Sequence, residues 1–324
     1  AIAVRSEVRG REKVDLPGGA RELLRIDQSM ALPGLPMQSR AWVDEHQQPQ
    51  RFEMDLLGFR LVMLACDRAC ALAPNQPADM LAHSLLAAPR LLSEADRAGT
   101  LVYTLRPRRD DGAIELPDTD EQSVRRKGRE ILLTVGASAV AARQSRPEAA
   151  DRSPNDWLQS QAPEIVALAR EAAGDAKTDA ERMRRFEAFV RGYIHDKNLG
   201  VGYASALEVL RTREGDCTEH AVLLAALGRA LGVPTRVVDG LAYTNGFGDA
   251  ERVFVPHAWV QAWVDGRWRS YDAALGHFDA GHIALAVGNG DPWRFYAGLG
   301  TLGHLELERV EPVARDAPPV RDAL

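Results

Sequence analysis

The chain has 324 residues, 45% of them hydrophobic and 27% charged, with a formal net charge of −6. This suits a globular protein of ordinary domain sizes that buries its core without disulfides or metals. It argues against nucleic acid as the main partner, since phosphate binding needs a basic surface, and no run of about 18 apolar residues is present to span a membrane. The short basic runs Arg125-Arg126-Lys127 and Arg182 to Arg185 read as solvated faces. Of three cysteines, Cys66 and Cys70 have a spacing that either closes one small bridge or leaves two free, buried thiols. No second Cys pair or close His pair completes a zinc set, so no metal and no cofactor are expected.

Residues 1–140 read as a strand-rich N-terminal domain. The segment Arg51 to Cys66 alternates in hydrophobicity around a break at Gly58, which predicts strands with a bulge or turn there. Residues 77–92 have helical spacing. Leu101–Leu105 and Glu130–Val135 are strand candidates, separated by a polar, loop-like stretch. Residues 141–156 are rich in Ala, Arg, Ser, Pro and Asp and read as a linker. A second domain is expected over 157–310. It opens with helices over Pro163–Ala173, Thr178–Ile194 and Thr218–Leu231. The second has a Thr178/Glu181 capping box and the third has Asp216 and Glu219 in the same roles. Gly232 and Pro234 end the third helix. Strands follow over 235–243, 253–264 and 267–274. A flexible tail is expected over 311–324.

Three residues carry the candidate chemistry. Cys217 begins the third helix, where free backbone N–H groups and the helix dipole favour a thiolate and thus a lowered pKa. The Cys217 N–H can also donate to a tetrahedral oxyanion, and Gly215 lets substrate approach the backbone. His257 and Asp272 belong to a hairpin whose turn is Asp265-Gly266. With a two-residue turn, Val264 pairs with Arg267 and Asp272 faces Trp259. His257 and Trp259 share a face, so Asp272 lies diagonal to His257, within hydrogen-bonding reach. A bulge at Pro256 would break this register. In this reading His257 is the base and Asp272 orients it. His220, one turn beyond Cys217, reads as a pocket wall. His195, His277 and His282 have no partner pattern and read as surface or loop residues.

The blocks Gly215-Asp216-Cys217-Thr218-Glu219-His220-Ala221, Arg229 to Arg236, His257-Ala258-Trp259-Val260, Gly266-Arg267-Trp268 and Tyr271-Asp272 resemble the transglutaminase-like superfamily, especially its exported bacterial members. The resemblance spans about Trp157 to Pro292. It implies an α+β, papain-like core with the Cys on a helix packed on an antiparallel sheet. It also implies Cys217, His257 and Asp272 as a catalytic triad. The family often places an upstream aromatic or amide side chain in its oxyanion hole, for which Tyr203 and Tyr193 are candidates. Gln261 and Ala273 stand where many relatives have Glu and Pro. The expected function is cysteine-dependent acyl transfer on amide bonds, as a calcium-independent peptidase or amidase. Protein crosslinking and a non-catalytic binding module using the same cleft are the alternatives. The expected partner is a protein or peptide substrate of the cell envelope. Because the chain starts at Ala1, a signal peptide removed earlier would fit a periplasmic or secreted location, and a cytoplasmic one stays open.

Overall fold

The computed structural model describes residues 3–32, 35–56, 59–72, 85–108, 114–136, 146–196, 203–293 and 304–313. Strands β1 (Val4–Val14), β2 (Arg21–Leu32), β3 (Leu35–Val43), β4 (Pro49–Leu56) and β5 (Phe59–Leu64) form an antiparallel meander in chain order. Its core is small: Val14, Leu23 and Trp42. Arginine–carboxylate pairs run across the strands, such as Arg9 with Asp27. The strand pair expected around Gly58 is β4 and β5, with Leu56 opposite Phe59. Residues 57 and 58 themselves lie outside the described residues.

Cys66 and Cys70 are disulfide-bonded and exposed, not buried thiols. Their loop encloses the start of α1 (Arg68–Ala71), capped by the Asp67 carboxylate on the Cys70 N–H. The helix expected over 77–92 needs correction. Residues 73–84 lie outside the described residues, and Leu86–Ala87 is a short strand, β6, paired with Phe254 and Val253. Pairing there satisfies the backbone while Leu86 enters the core at 3% exposure. A single capped turn, α2 (Glu94–Arg97), follows.

The remaining elements are β7 (Leu101–Pro107), β8 (Gln122–Lys127), β9 (Glu130–Val135), α3 (Pro163–Ala173), α4 (Asp179–Tyr193), α5 (Ala206–Thr212), α6 (Cys217–Ala230), β10 (Thr235–Phe247), β11 (Ala250–Val264), β12 (Arg267–Tyr271), β13 (His282–Gly288) and β14 (Leu305–Pro312). The rest of the expected tail, from 314, lies outside the described residues. β10 to β13 form an antiparallel sheet in the order β12-β11-β10-β13, with β6 on β11. On one face lie the helices. Met183, Phe186 and Val190 of α4 and the almost wholly buried α6 pack on Val237, Ala258, Val260, Ala262 and Val264. Toward the other side lies a second sheet, β14-β7-β9-β8. Its Leu101, Tyr103, Leu105, Ile131 and Leu133 share a core with Leu241, Phe254 and Ile283. This is the expected α+β arrangement, with the cysteine on a helix packed on an antiparallel sheet and strand-rich sequence ahead of it.

The segment Asp120 to Gln122 binds β12 and β13, the outer strands of the sheet β12-β11-β10-β13. Trp268 N–H donates to Asp120 at 2.7 Å and Ser270 N–H to Glu121 at 3.0 Å. Ala284 N–H donates to the Gln122 amide oxygen at 2.8 Å, and the amide returns a bond to Ala284 O. These side chains occupy backbone groups on strands that would otherwise present open edges. Within the sheet, β10 is crowded at Gly240, opposite His257. A Cβ there would sit 2.2 Å from the Ile283 carbonyl oxygen and 2.7 Å from the Trp259 ring. Gly240→Ala should therefore cost about 1–3 kcal/mol of stability by overpacking, read as a lower midpoint of thermal unfolding. An unchanged midpoint would show that the strands part freely there.

Candidate active site

The site is built where α6 meets the edge of β11. Asp216 caps α6: its carboxylate accepts the Thr218 N–H at 2.9 Å, and Glu219 returns a bond from the Asp216 N–H at 3.0 Å. Glu219 is fully buried and also accepts the Ala204 N–H at 2.8 Å. Gly215 permits this knot. It has φ 144°, and a Cβ on it would lie 2.3 Å from the Glu219 Cβ. Cys217 is thus the first helical residue, half-buried and the free cysteine of the chain.

Its sulfur faces β11. Among the described residues β12 reaches β11 only as far as Val260, and β6 covers only Val253 and Phe254. On the stretch between them, the Ala258 N–H donates to the Cys217 thiol. The expected lowering of the thiol pKa is not found. Burial pushes it up, and the charges of Asp216, Asp272 and Glu219 push the same way, against the Ala258 N–H. A helix start was visible in the sequence; the enclosing carboxylates and the burial were not.

The hairpin pairs as expected. Val264 faces Arg267 and Val260 faces Tyr271, with no bulge at Pro256 in its pairing with Leu241. β12 stops at Tyr271 because the Asp272 carboxylate captures the next backbone turn. Its Oδ1 accepts the N–H groups of Ala274 at 2.9 Å and Leu275 at 3.0 Å. Its Oδ2 faces His257 Nε2 at 2.8 Å. Nδ1 is the other ring nitrogen of His257, outside this bond. The Trp259 ring lies nearly parallel to the His257 ring, 6.3 Å away, and its N–H donates to Ser270.

One residue was misread. His282 is neither on the surface nor in a loop. It opens β13, is 3% exposed, and places Nε2 2.9 Å from the same Asp272 Oδ2. Its Nδ1 lies 3.1 Å from the Asp279 carbonyl and 3.2 Å from the Asp279 carboxylate. The available signal was the apolar run Ile283 to Val287, which marks a strand starting at His282, with Asp279 three residues earlier. Burial works against charge on His282, but Asp272 and Asp279 overcome it and push its pKa up to about 9. Burial alone would raise the Asp272 carboxyl, yet the two imidazoles hold it well below the usual carboxylate range. His257, Asp272 and His282 offer ligand atoms within 4.8 Å of one another. A cation placed among them would have to displace both imidazole–carboxylate bonds.

The other candidates are scattered around this centre. Tyr203 donates its hydroxyl to Gly290 O at 3.0 Å and packs edge-on against Trp157. Tyr193 does not join it. Its hydroxyl donates to Leu210 O, and Arg213 lies 4.6 Å over its ring. His220 is buried beneath the start of α6, with Nδ1 2.6 Å from Asp216 O. Gln261 is 1% exposed in the sheet.

Residues 166–273 match the model of the transglutaminase-like superfamily. The match includes Cys217, His257 and Asp272 and ends before His282. No curated protein matches the sequence. Among solved structures, the chain is similar to a candidate cysteine protease from Cytophaga hutchinsonii, at 14% identity and TM-score 0.42, over 70% of this chain and 90% of that one. It is similar to the periplasmic domain of TgpA from Pseudomonas aeruginosa, at 19% identity and TM-score 0.38, over 59% and 75%. It is also similar to red sea bream transglutaminase, at 13% identity and TM-score 0.31, over 60% and 49%. These likenesses are weak and assign no activity.

Glu187 on α4 supports Asp272 from behind, accepting its backbone N–H at 2.6 Å. Burial, reinforced by the Asp272 charge, pushes the Glu187 carboxyl up to about 7 from an ordinary 4.5. A raised folded pKa means that its stabilisation is complete below the ordinary value and lost as pH rises through 7. Glu187→Gln should remove about 1–3 kcal/mol of the stability lost between roughly pH 5 and pH 8, measured by urea unfolding. Parallel pH curves for the two proteins would show that Glu187 does not titrate in this window.

Proposed function

We propose that the chain is a cysteine-dependent acyl-transfer enzyme that cleaves amide bonds in protein or peptide substrates. The observation that carries this reading is the pairing of His257 with Asp272 on a strand whose next residue, Ala258, hydrogen-bonds the Cys217 thiol. With the thiol pKa raised, the resting nucleophile is neutral, so it needs a base at the moment of attack. His257 Nδ1 takes the thiol proton as Sγ bonds to the substrate carbonyl carbon. The free N–H at the first position of α6 meets the oxyanion. Asp272 supports the imidazolium. His257 then gives the proton to the leaving amine as the C–N bond breaks and a thioester forms. Water, deprotonated by His257, attacks the thioester and restores the thiol. Water is assigned as acceptor because the sequence carries no acidic, glycine-centred calcium loop of the kind expected for a calcium-dependent enzyme.

Among the described residues, no helix is long and apolar enough to cross a membrane. The Cys66–Cys70 disulfide supports a periplasmic or secreted location, since such bonds persist in oxidising compartments. Cys217→Ala should abolish peptide-bond cleavage, and His257→Ala should slow it on the order of 10²–10⁴-fold. A fluorogenic peptide library, assayed with and without a fluorescent primary amine, reads both fates of the thioester. Cleavage unchanged in Cys217→Ala would sink the proposal. Label incorporation without cleavage would replace hydrolysis with crosslinking.

A further inference from the structure

The Asp272 carboxylate has two imidazole partners where one suffices to orient a base. Both bonds fall on Oδ2, from His257 at 2.8 Å and His282 at 2.9 Å, while Oδ1 is held by two backbone N–H groups. The two rings are 5.7 Å apart and tilted by 59°. Behind His282 stands Asp279, and the Asp279 carboxylate is paired with Arg97 of α2 at 2.5 Å, 182 residues away in sequence. His282, Asp272 and His257 are each 5% exposed or less.

We propose that His282 is a positioning residue for His257. It fixes the Asp272 carboxylate in place and shares its negative charge, and Asp279 with Arg97 fixes His282 in turn. The elevated pKa of His282 agrees with this, because it keeps the second ring a cation at neutral pH. A neutral filler of the same volume would avoid the cost of burying that charge. The charge has a consequence for the base. Asp272 lies between two imidazoles, so it stabilises a proton on His257 less than an unshared carboxylate would. The charged and titratable groups around the pair include Asp272, Asp279 and Cys217, with Glu187 behind Asp272 and both Arg97 and His277 beside Asp279.

The consequence for catalysis rests on the proposed acyl-transfer reading, but the test needs no substrate. The full chain is labelled with ¹⁵N-histidine, and the His257 titration is followed by NMR in a Cys217→Ala background, which removes coupling to the thiol. His282→Gln keeps an amide able to donate to Asp272 but carries no charge. It should raise the His257 midpoint by about one pH unit and move the His257 Nε2–H resonance, with the thermal midpoint showing that the protein stays folded. A His257 midpoint and resonance unmoved in the folded variant would overturn the proposal. If His282→Gln does not fold, Asp279→Asn reads the same quantity. It should shift the midpoint in the same direction by a smaller amount, and no shift there overturns the proposal equally. Alkylation of Cys217 by iodoacetamide separates the two readings. If His257→Ala leaves the rate unchanged, the base assignment fails whatever His282 does. If His257→Ala slows it while His282→Gln moves no titration, only the positioning role fails.

Discussion

The fixed point of this structure is a buried carboxylate. Asp272 is inaccessible to solvent and still ionised, a state that is costly unless every lone pair is met. The chain meets them with two imidazoles and two backbone N–H groups. Each demand shapes an element. The N–H groups of Ala274 and Leu275 turn the chain out of β12, and His282 must open β13 beside β10. The tight approach of β13 to β10 leaves no room for a side chain at Gly240, directly opposite His257. The site is thus a product of sheet register rather than of a loop laid over the fold.

The proposed nucleophile, Cys217, is placed by a different device, the buried capping knot of Asp216, Thr218 and Glu219. The knot fixes the first turn of α6 but surrounds the thiol with negative charge. Two effects then compete: the helix start and the Ala258 N–H favour a thiolate, while burial and three carboxylates oppose it. The second group prevails, and in the proposed mechanism His257 therefore has the task of removing the proton. A strongly activated thiolate would react with any electrophile that reached it. A neutral thiol that depends on a positioned imidazole reacts when a substrate completes the geometry.

Much of this was legible in the residues themselves. Asp216 and Glu219 announced the start of α6 through capping chemistry, which is local. Asp265-Gly266 set the register of β11 and β12, because a two-residue turn leaves no freedom in the pairing. The same capping logic marks α5 through Ser205 and Glu208, a helix that the sequence reading passed over. What stayed hidden depends on contacts between distant parts of the chain. His282 acquires its role only when β13 pairs with β10, and Leu86–Ala87 becomes a strand only because β11 offers an edge. The raised thiol pKa follows from burial, which no local pattern encodes.

The bonds that reach across the chain also bear on how such a protein can change over generations. Strands β7 and β9 come from before the superfamily stretch and β14 from after it, yet all three lie in one sheet over the site. Asp120, Glu121 and Gln122 finish the outer strands of the other sheet, and Arg97 holds Asp279. The superfamily stretch is therefore not a cassette that recombination can lift out intact. A transfer of residues 166–273 alone would leave behind the strand that carries His282 and expose the apolar face that β7 and β9 cover. Divergence in the flanking segments is constrained by the site they enclose.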